Sequence, residues 1–349
     1  MSSTASEPLD RVERAASALL GDAGLVIVDV GAAYGLPWHL SALRNVASTI
    51  CCFEPDPEAA EALRRASQER GQTNLKVFPV ALAGSEAERT LYITNVPTGS
   101  SLLKPGSDFA NDFGSHDYFY PLREATVKTR PMQNVLVEGG VPRADAIKID
   151  VQGAELEVLS GLGPMLAGTT LAVELEIGFP GCYIDQPGFG EIDAFMNKAG
   201  FLLYDLRLSS HHSHFNGDSG YYPREILRIP EDSGTLTKRI TEADGIYFRH
   251  PRLMLQANDA LALRRQLVLL CAYGFFVDAI QLIERATAAN LLDQASSRTC
   301  HDAVLAWLGA TRDQLTDNPG VDKFLHYVKR KLRRLQTKFF GQSFYRWRE

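Results

Sequence analysis

Asp29, Gly31 and Gly35 stand together at the end of a short β-branched run, and Glu54 follows 25 residues after Asp29. Glycines at such a point let the backbone turn sharply and approach a ligand, while the helix that follows offers free N–H groups. Many tight strand-to-helix turns contain glycine, so two further features single this one out. Asp29 lies near the C-terminal end of its strand, where open α/β sheets bind ligands. Glu54 comes after the next strand, and an acid about 20 residues beyond a glycine turn is what a ribose diol requires, one carboxylate accepting both hydroxyl protons. The competing reading of Glu54 is an acid that complements a helix dipole. The chain lacks GxxxxGK[ST], and its turn lacks the third glycine of the dinucleotide fingerprint. Asp29 would repel phosphate and suits a cationic group. Together these point to an adenosyl ligand with a cationic end and no pyrophosphate, and away from a nicotinamide-dependent oxidoreductase.

A second group lies in the run 147–161, where Asp150 falls at a strand end and Glu155 on the first turns of a helix. Acids there also serve as caps or dipole partners. His211, His212 and His214 form a third group in a Ser/Asn/Gly-rich stretch. Metal ligation would need partners that the sequence does not supply, so they are read as solvated loop residues or as a substrate-side base. Tyr221 and Tyr222 nearby suit an acceptor pocket or a packing anchor.

The elements that must carry these residues are legible from periodicity. Short apolar runs at 25–30, 48–53, 75–80, 144–151, 170–177, 201–206 and 245–249 alternate with helical stretches, among them 8–20 and 57–68. Continuous apolar runs of this length mark strands buried on both faces of a parallel sheet. The pattern predicts a doubly wound α/β fold with a mostly parallel, seven-stranded, Rossmann-like sheet. The run 89–94 alternates like an antiparallel or edge strand, 126–130 reads as a short strand, and 97–121 reads as a long loop of the functional kind. From 251 onward the strand signal stops. Helices at 257–273, 277–288 and 301–308 make a helical appendage over 251–349, set beside a sheet domain over 1–250.

The 349 residues carry a net charge of −6, and five scattered cysteines without CxxC spacing argue against a disulfide framework or a zinc ribbon. No stretch approaches the roughly 18 apolar residues that span a bilayer, and no signal peptide opens the chain, so a cytoplasmic protein is expected. Charge is uneven. Residues 321–349 hold nine Lys/Arg and two acidic residues, leaving the rest more acidic than the whole. The acidic body is not expected to bind nucleic acid. In the tail, Phe324, Val328, Leu332, Leu335 and Phe339 share one helical stripe ringed by basic residues. Such a helix suits an anionic membrane surface, an acidic partner or its own acidic body. Nothing in the sequence specifies an oligomeric state.

The string IKIDVQGAELEVLSG at 147–161 resembles the hallmark of the FkbM-type methyltransferases. VDVGAAYG, CFEPDPEAAEALR, VFPVALAG, TGSSLL, LAVELEIGF and DGIYFR follow the family in order, so the resemblance covers about 25–249. It implies a Rossmann-like S-adenosylmethionine-dependent O-methyltransferase. By resemblance, Asp29, Gly31 and Gly35 would hold the methionine end of S-adenosyl-L-methionine. Glu54 would take the ribose, Val80 and Ala81 would lie against adenine, and Ser100 and Ser101 would sit close to the cofactor or the substrate mouth, Ser101 counted among the cofactor-binding residues. Asp150, Glu155 and Glu174 would line the acceptor side. The chain departs from the family at Ala33, where Asn is usual, and at Gln152, where Glu is usual.

Such an enzyme must align an oxygen nucleophile with an activated methyl group and accept the hydroxyl proton. Asp150 is the first candidate for that base and Glu174 the second. A divalent metal held by these two acids is a rival scheme, placed second because no dense acidic cluster is visible in the sequence. The expected acceptor is a hydroxyl of a small molecule, glycan or secondary metabolite. The alternative is a non-catalytic adaptor on the same fold, using its helical, basic C-terminus for partners.

Overall fold

A computed structural model describes residues 6–32, 36–107, 120–179, 181–211 and 239–314. Ten strands follow one another among the described residues: β1 (Val26–Val30), β2 (Thr49–Phe53), β3 (Leu75–Phe78), β4 (Ala81–Leu82), β5 (Ala87–Thr94), β6 (Pro121–Arg130), β7 (Ala146–Ile149), β8 (Ala172–Gly178), β9 (Phe201–His211) and β10 (Arg239–Arg249). Seven form one sheet in the order β3-β2-β1-β7-β8-β10-β9. The first five of that order run parallel, and β10 is antiparallel to both β8 and β9. This is the doubly wound, mostly parallel seven-stranded Rossmann-like sheet that the apolar runs predict. The chain leaves β1 toward β2 and β3, then returns to β7 on the other flank. The order therefore reverses between β1 and β7, where open sheets form a ligand crevice.

β1 is buried throughout, as a strand covered on both faces must be. Asp145 fixes its start against β7, accepting the Val26 N–H at 2.7 Å on Oδ2, while the Asp145 N–H donates to the Val26 carbonyl at 3.0 Å. The helix Pro57–Glu69 begins after β2 because Asp56 caps it, its Oδ1 accepting the N–H groups of Glu58 and Ala59 at 2.9 Å with Pro57 at the first turn.

The sequence pattern differs from the structure at several element bounds, β6 among them, which starts at Pro121 where the pattern expects a strand from 126. The run 75–80 stops at Phe78, since Pro79 has no N–H to extend the ladder. Ala81–Leu82 then joins a second sheet, order β4-β6-β5, in which β5 and β6 pair antiparallel. β9 and β10 also run well past 201–206 and 245–249. Their extra residues mix polar with apolar types and pair with each other through a bulged ribbon, 242–244 pairing also with β8, which an apolar-run criterion does not detect.

Arg249 ends β10 inside the sheet unit. It is 8% exposed, its Nε donates to the Thr170 carbonyl at 2.7 Å, its Nη2 to Leu166, and its guanidinium lies 4.9 Å from the centre of the Phe201 ring. Arg249→Met keeps the stem but leaves two buried carbonyls without these donors. It is expected to lower stability by about 2–4 kcal/mol in urea unfolding; an unchanged midpoint would mean that these bonds are replaceable by water.

The described chain divides into two compact units, one drawn from residues 25–37 and 47–254, the other from 6–24, 38–46 and 255–314. The helix Ser6–Leu20 and residues 38–46 thus group with the C-terminal helices, whereas the sequence pattern counts them with the sheet. Within that helical unit, Val12, Ala15, Ala16 and Leu19 bury one stripe of Ser6–Leu20, which packs on Gln294–Gln314 and Ala260–Ala272. Arg265 of the latter helix donates to the carbonyls of Ala23 and Gly24 at 2.8–3.0 Å. Phe276–Ala288 packs beside both C-terminal neighbours. The basic stripe at 321–349, with His212, His214, Tyr221 and Tyr222, lies outside the described residues. Among the described residues no helix is long and apolar enough to cross a membrane.

Candidate active site

Asp29 is the fourth residue of β1, pairs in register with Lys148 of β7, and Lys148 pairs with Glu174 of β8. Residues paired across a sheet share a face, as do residues two apart along one strand. Asp29, Lys148, Asp150, Glu174 and Glu176 therefore stand on one face at the carboxyl edge of the parallel strands. Asp244 of β10 joins them, being paired with Glu176 on one side and Arg207 on the other. Glu54, just past β2, extends the row beyond Asp29. Acids that are up to 215 positions apart in the chain thus converge, an acidic row that the sequence does not display. Among the described residues, no group of His, Cys, Asp or Glu has an arrangement that could hold a metal ion.

Asp29 is fully buried, and neither carboxylate oxygen has a hydrogen-bond partner among the described residues. Burial pushes its carboxyl up to about 6, Lys148 opposes that rise, and Asp150, Glu174 and Glu54 add to it. An unpaired buried carboxylate is costly, and a cationic ligand would relieve it. Gly31 turns the chain at φ 79°, and a Cβ there would come within 2.0 Å of the Asp150 carbonyl oxygen. Glycine is thus demanded by the β7 turn crossing behind it. Gly31 and Ala32 also donate to the Phe53 carbonyl at 3.1 and 3.3 Å. Gly35 lies outside the described residues. Glu54 is 7% exposed; its Oε1 accepts the Asp56 N–H at 3.0 Å, and its other oxygen has no partner among the described residues. Burial raises its carboxyl, the Asp56 N–H opposing that rise. Val80 and Ala81 follow β3, whose Phe78 carbonyl accepts the Glu54 N–H at 3.2 Å. They share the Glu54 side of the edge. Ala81 is buried as the first residue of β4.

On the other flank Asp150 is held from two sides. Lys148 Nζ lies 2.9 Å from its Oδ2, and Gln152 Nε2 donates to its Oδ1 at 2.9 Å. Burial alone would lower the Lys148 ammonium, but Asp150, Asp29 and Glu174 outweigh it and keep the charge. Glu174 is 4% exposed, with Arg207 Nη1 at 4.0 Å from its Oε1. Glu155 is committed to the fold: its Oε1 accepts the N–H groups of Val151 and Gly153 at 3.1 and 3.0 Å, clamping the turn. Ser101 is likewise occupied, its Oγ donating to the Gln152 carbonyl at 2.6 Å and accepting the Leu103 N–H at 3.0 Å. Ser100 Oγ accepts the Thr94 N–H at 3.2 Å. These two serines fasten the 98–103 segment to neighbouring backbone.

Sequence reasoning assigned no role to Lys148, Glu176, Tyr183 or Asp244. A signal for two of them was present, because AIKID and VELEI alternate charged and apolar residues inside strands that are otherwise continuously apolar. One buried strand face must therefore be polar, and in this chain that face carries the row. Tyr183 and Asp244 have no such signature, since contact with Gln152 and pairing with β8 bring them there.

The Methyltransferase FkbM domain matches residues 29–203, half of the chain. Methyltransferase 1 of Beauveria bassiana is 28% identical over 145 residues, covering 39% of this chain and 57% of that protein. The 2-O-methyltransferase NoeI of Sinorhizobium fredii is 26% identical over 159 residues, covering 43% and 63%. The chain thus spans about three-fifths of the length of the curated relatives it matches. Among solved structures, magnesium protoporphyrin IX methyltransferase from Synechocystis superposes with a TM-score of 0.31 and 11% identity over 69% of this chain and 79% of that one. The matched stretch begins at Asp29 and takes in Glu54, Lys148, Asp150, Glu174 and Glu176, with Asp244 beyond its end, so most of the acidic row lies within the family domain, and the chain belongs to the FkbM-domain methyltransferases.

Proposed function

We propose that the chain is an S-adenosylmethionine-dependent O-methyltransferase acting on a hydroxyl of a small molecule or glycan. The observation that carries this reading is Asp29, a wholly buried carboxylate with neither oxygen partnered among the described residues, in register beside Lys148 and one strand from Glu54. These residues fit the cofactor. Asp29 would face its cationic methionyl end, and Glu54, with one oxygen unengaged, would take the ribose hydroxyls. Val80 and Ala81 would lie on the adenine side. When bound, the cofactor supplies a methyl group on a positively charged sulfur, which keeps the bonding electron pair as the methyl leaves.

The chain's own residues then have two tasks. The acceptor hydroxyl must be held in line, and its proton must go to a base. Asp150 suits the second task, being half-exposed and steadied by Lys148 and Gln152. Glu174 is more deeply buried and within reach of Arg207, which suits it to shape the field around Lys148. The acidic row, with Lys148 and Arg207 as its cations, favours a net positive ligand on the Asp29 side.

The test is calorimetric binding of S-adenosylmethionine and S-adenosylhomocysteine to wild type and to Glu54→Ala. Both ligands should bind wild type. Affinity should fall on the order of 100-fold in the variant, from the loss of a charged partner to two hydroxyls, with an unchanged circular dichroism spectrum. Failure of folded wild-type protein to bind either ligand would sink the reading and favour an adaptor on the same fold.

A further inference from the structure

Gln152 is a non-glycine residue at φ 59°, a left-handed backbone that costs an L-residue on the order of 1–2 kcal/mol. Both its main chain and its side chain are held there. Its carbonyl accepts Ser101 Oγ at 2.6 Å, and its Oε1 accepts the Tyr183 hydroxyl at 3.0 Å. Its Nε2 lies 2.9 Å from Asp150 Oδ1 and 2.8 Å from Glu176 Oε2. The direction of the amide follows from chemistry, since two carboxyl oxygens face one end and a hydroxyl the other, so the NH2 group must face the acids. Tyr183 is 5% exposed, also reaches the Gly99 carbonyl at 2.9 Å, and packs so closely on Gly153 that a Cβ there would come within 3.0 Å of its ring.

We propose that Gln152 is a positioning residue for the methyl acceptor, its amide holding Asp150 and Glu176 side by side so that the two carboxyl groups receive the acceptor as a pair. The assignment rests on the methyl-transfer reading above. As the acceptor oxygen gains the methyl group its O–H bond breaks, and the proton passes to Asp150. Glu176 is the complementary half. Burial first, then Asp150, Glu155 of the following helix, and Glu242 and Asp244 of β10 push its carboxyl up to about 9. Near neutral pH it keeps its proton and offers a donor where Asp150 offers an acceptor. Its second oxygen has no partner among the described residues and is available to the ligand. An amide serves both acids without adding charge. A carboxylate at 152 would add a second negative group beside Asp150 and would itself need a proton to bridge the pair.

The test uses the 349-residue chain as wild type, Gln152→Leu, Gln152→Glu and Tyr183→Phe. Calorimetric affinity for S-adenosylhomocysteine should stay within about threefold of wild type in all variants, because Gln152 lies on the acceptor flank. Methyl transfer from tritiated S-adenosylmethionine is measured on a panel of methyl glycosides. Gln152→Leu should lower kcat about 30-fold or more with the acceptor KM within about threefold, and Tyr183→Phe about fivefold. Gln152→Glu should regain activity as pH falls and its carboxyl takes up a proton, an acid shift of the profile that a merely structural residue does not produce. Wild-type kcat and pH profile in both Gln152 variants overturn the proposal. Where no glycoside is methylated, the NMR signals of the Gln152 side-chain amide decide. Two distinct, slowly exchanging protons that follow the titration of Glu176, assigned with Glu176→Gln, support the pair; averaged, freely exchanging protons overturn it. Absence of S-adenosylhomocysteine binding to folded wild type overturns the methyl-transfer reading and this assignment with it.

Discussion

Asp29→Asn is expected to make the ligand-free protein more stable at neutral pH while removing most of its affinity for S-adenosylmethionine. Burial raises the Asp29 carboxyl from 3.8 to about 6 in the folded chain. A carboxyl raised on folding gives its full stability below pH 3.8, and that contribution is lost as pH rises through 6. Above pH 6 the fold therefore carries an ionised, buried group at a penalty of about 3 kcal/mol, as the shift implies. Asn has the same shape and no charge. The difference in melting temperature between variant and wild type should be small near pH 4 and grow toward pH 7, a comparison in which the other titrating groups cancel. Affinity should move the other way, with a loss of about 100-fold in Asp29→Asn, since one charge-assisted contact is worth about 1.5–3 kcal/mol. For wild type, affinity for the cationic cofactor should decline as pH falls below 6. A variant that binds normally and gains no stability would show that Asp29 neither meets the cofactor nor stays ionised.

Gly31→Ala should be the most destabilising single methyl addition in the sheet unit. Two costs coincide. An L-residue at φ 79° adds about 1–2 kcal/mol, and overpacking adds typically 1–3 kcal/mol more. The atom in the way is the Asp150 carbonyl oxygen at 2.0 Å, which belongs to the backbone of the turn after β7 and cannot rotate aside. A total of about 3 kcal/mol or more is expected, equivalent to a melting temperature lowered by roughly 6–12 °C. Because the displaced carbonyl is that of Asp150, acceptor-side activity should fall along with stability. A variant as stable as wild type would mean that the turns after β1 and β7 can separate without loss.

The main sheet was largely legible because burial on both faces forces short continuous apolar runs. All seven such runs are strands of that sheet. The helices at 57–68 and 277–288 were legible for a related reason, an apolar stripe of helical period closed by recognisable end signals such as Asp56 before Pro57. Residues 207–211 and 239–244 were missed because polar residues interrupt the apolar ones there, and cross-strand pairing with each other and with β8 places them. The grouping of Ser6–Leu20 with the C-terminal helices was also hidden, since an amphipathic stripe says that a helix packs but not on what.

The site divides in the same way. The glycine turn, Glu54 after the second strand and the 147–161 string are local patterns, and the sequence by itself determined them, together with the family and the carboxyl edge where they gather. The roles within that edge were decided only by the tertiary structure. Ser101 is tied to the Gln152 carbonyl, Glu155 to the 151–153 turn, and Gly31 yields to a carbonyl 119 residues away. Lys148 becomes the cation between Asp29, Asp150 and Glu174 because three strands far apart in the chain align in one register. The physical reason is that periodicity along a chain reports which way side chains face. Which charges come to lie side by side is set by hydrogen-bond register and packing between strands that the sequence holds far apart.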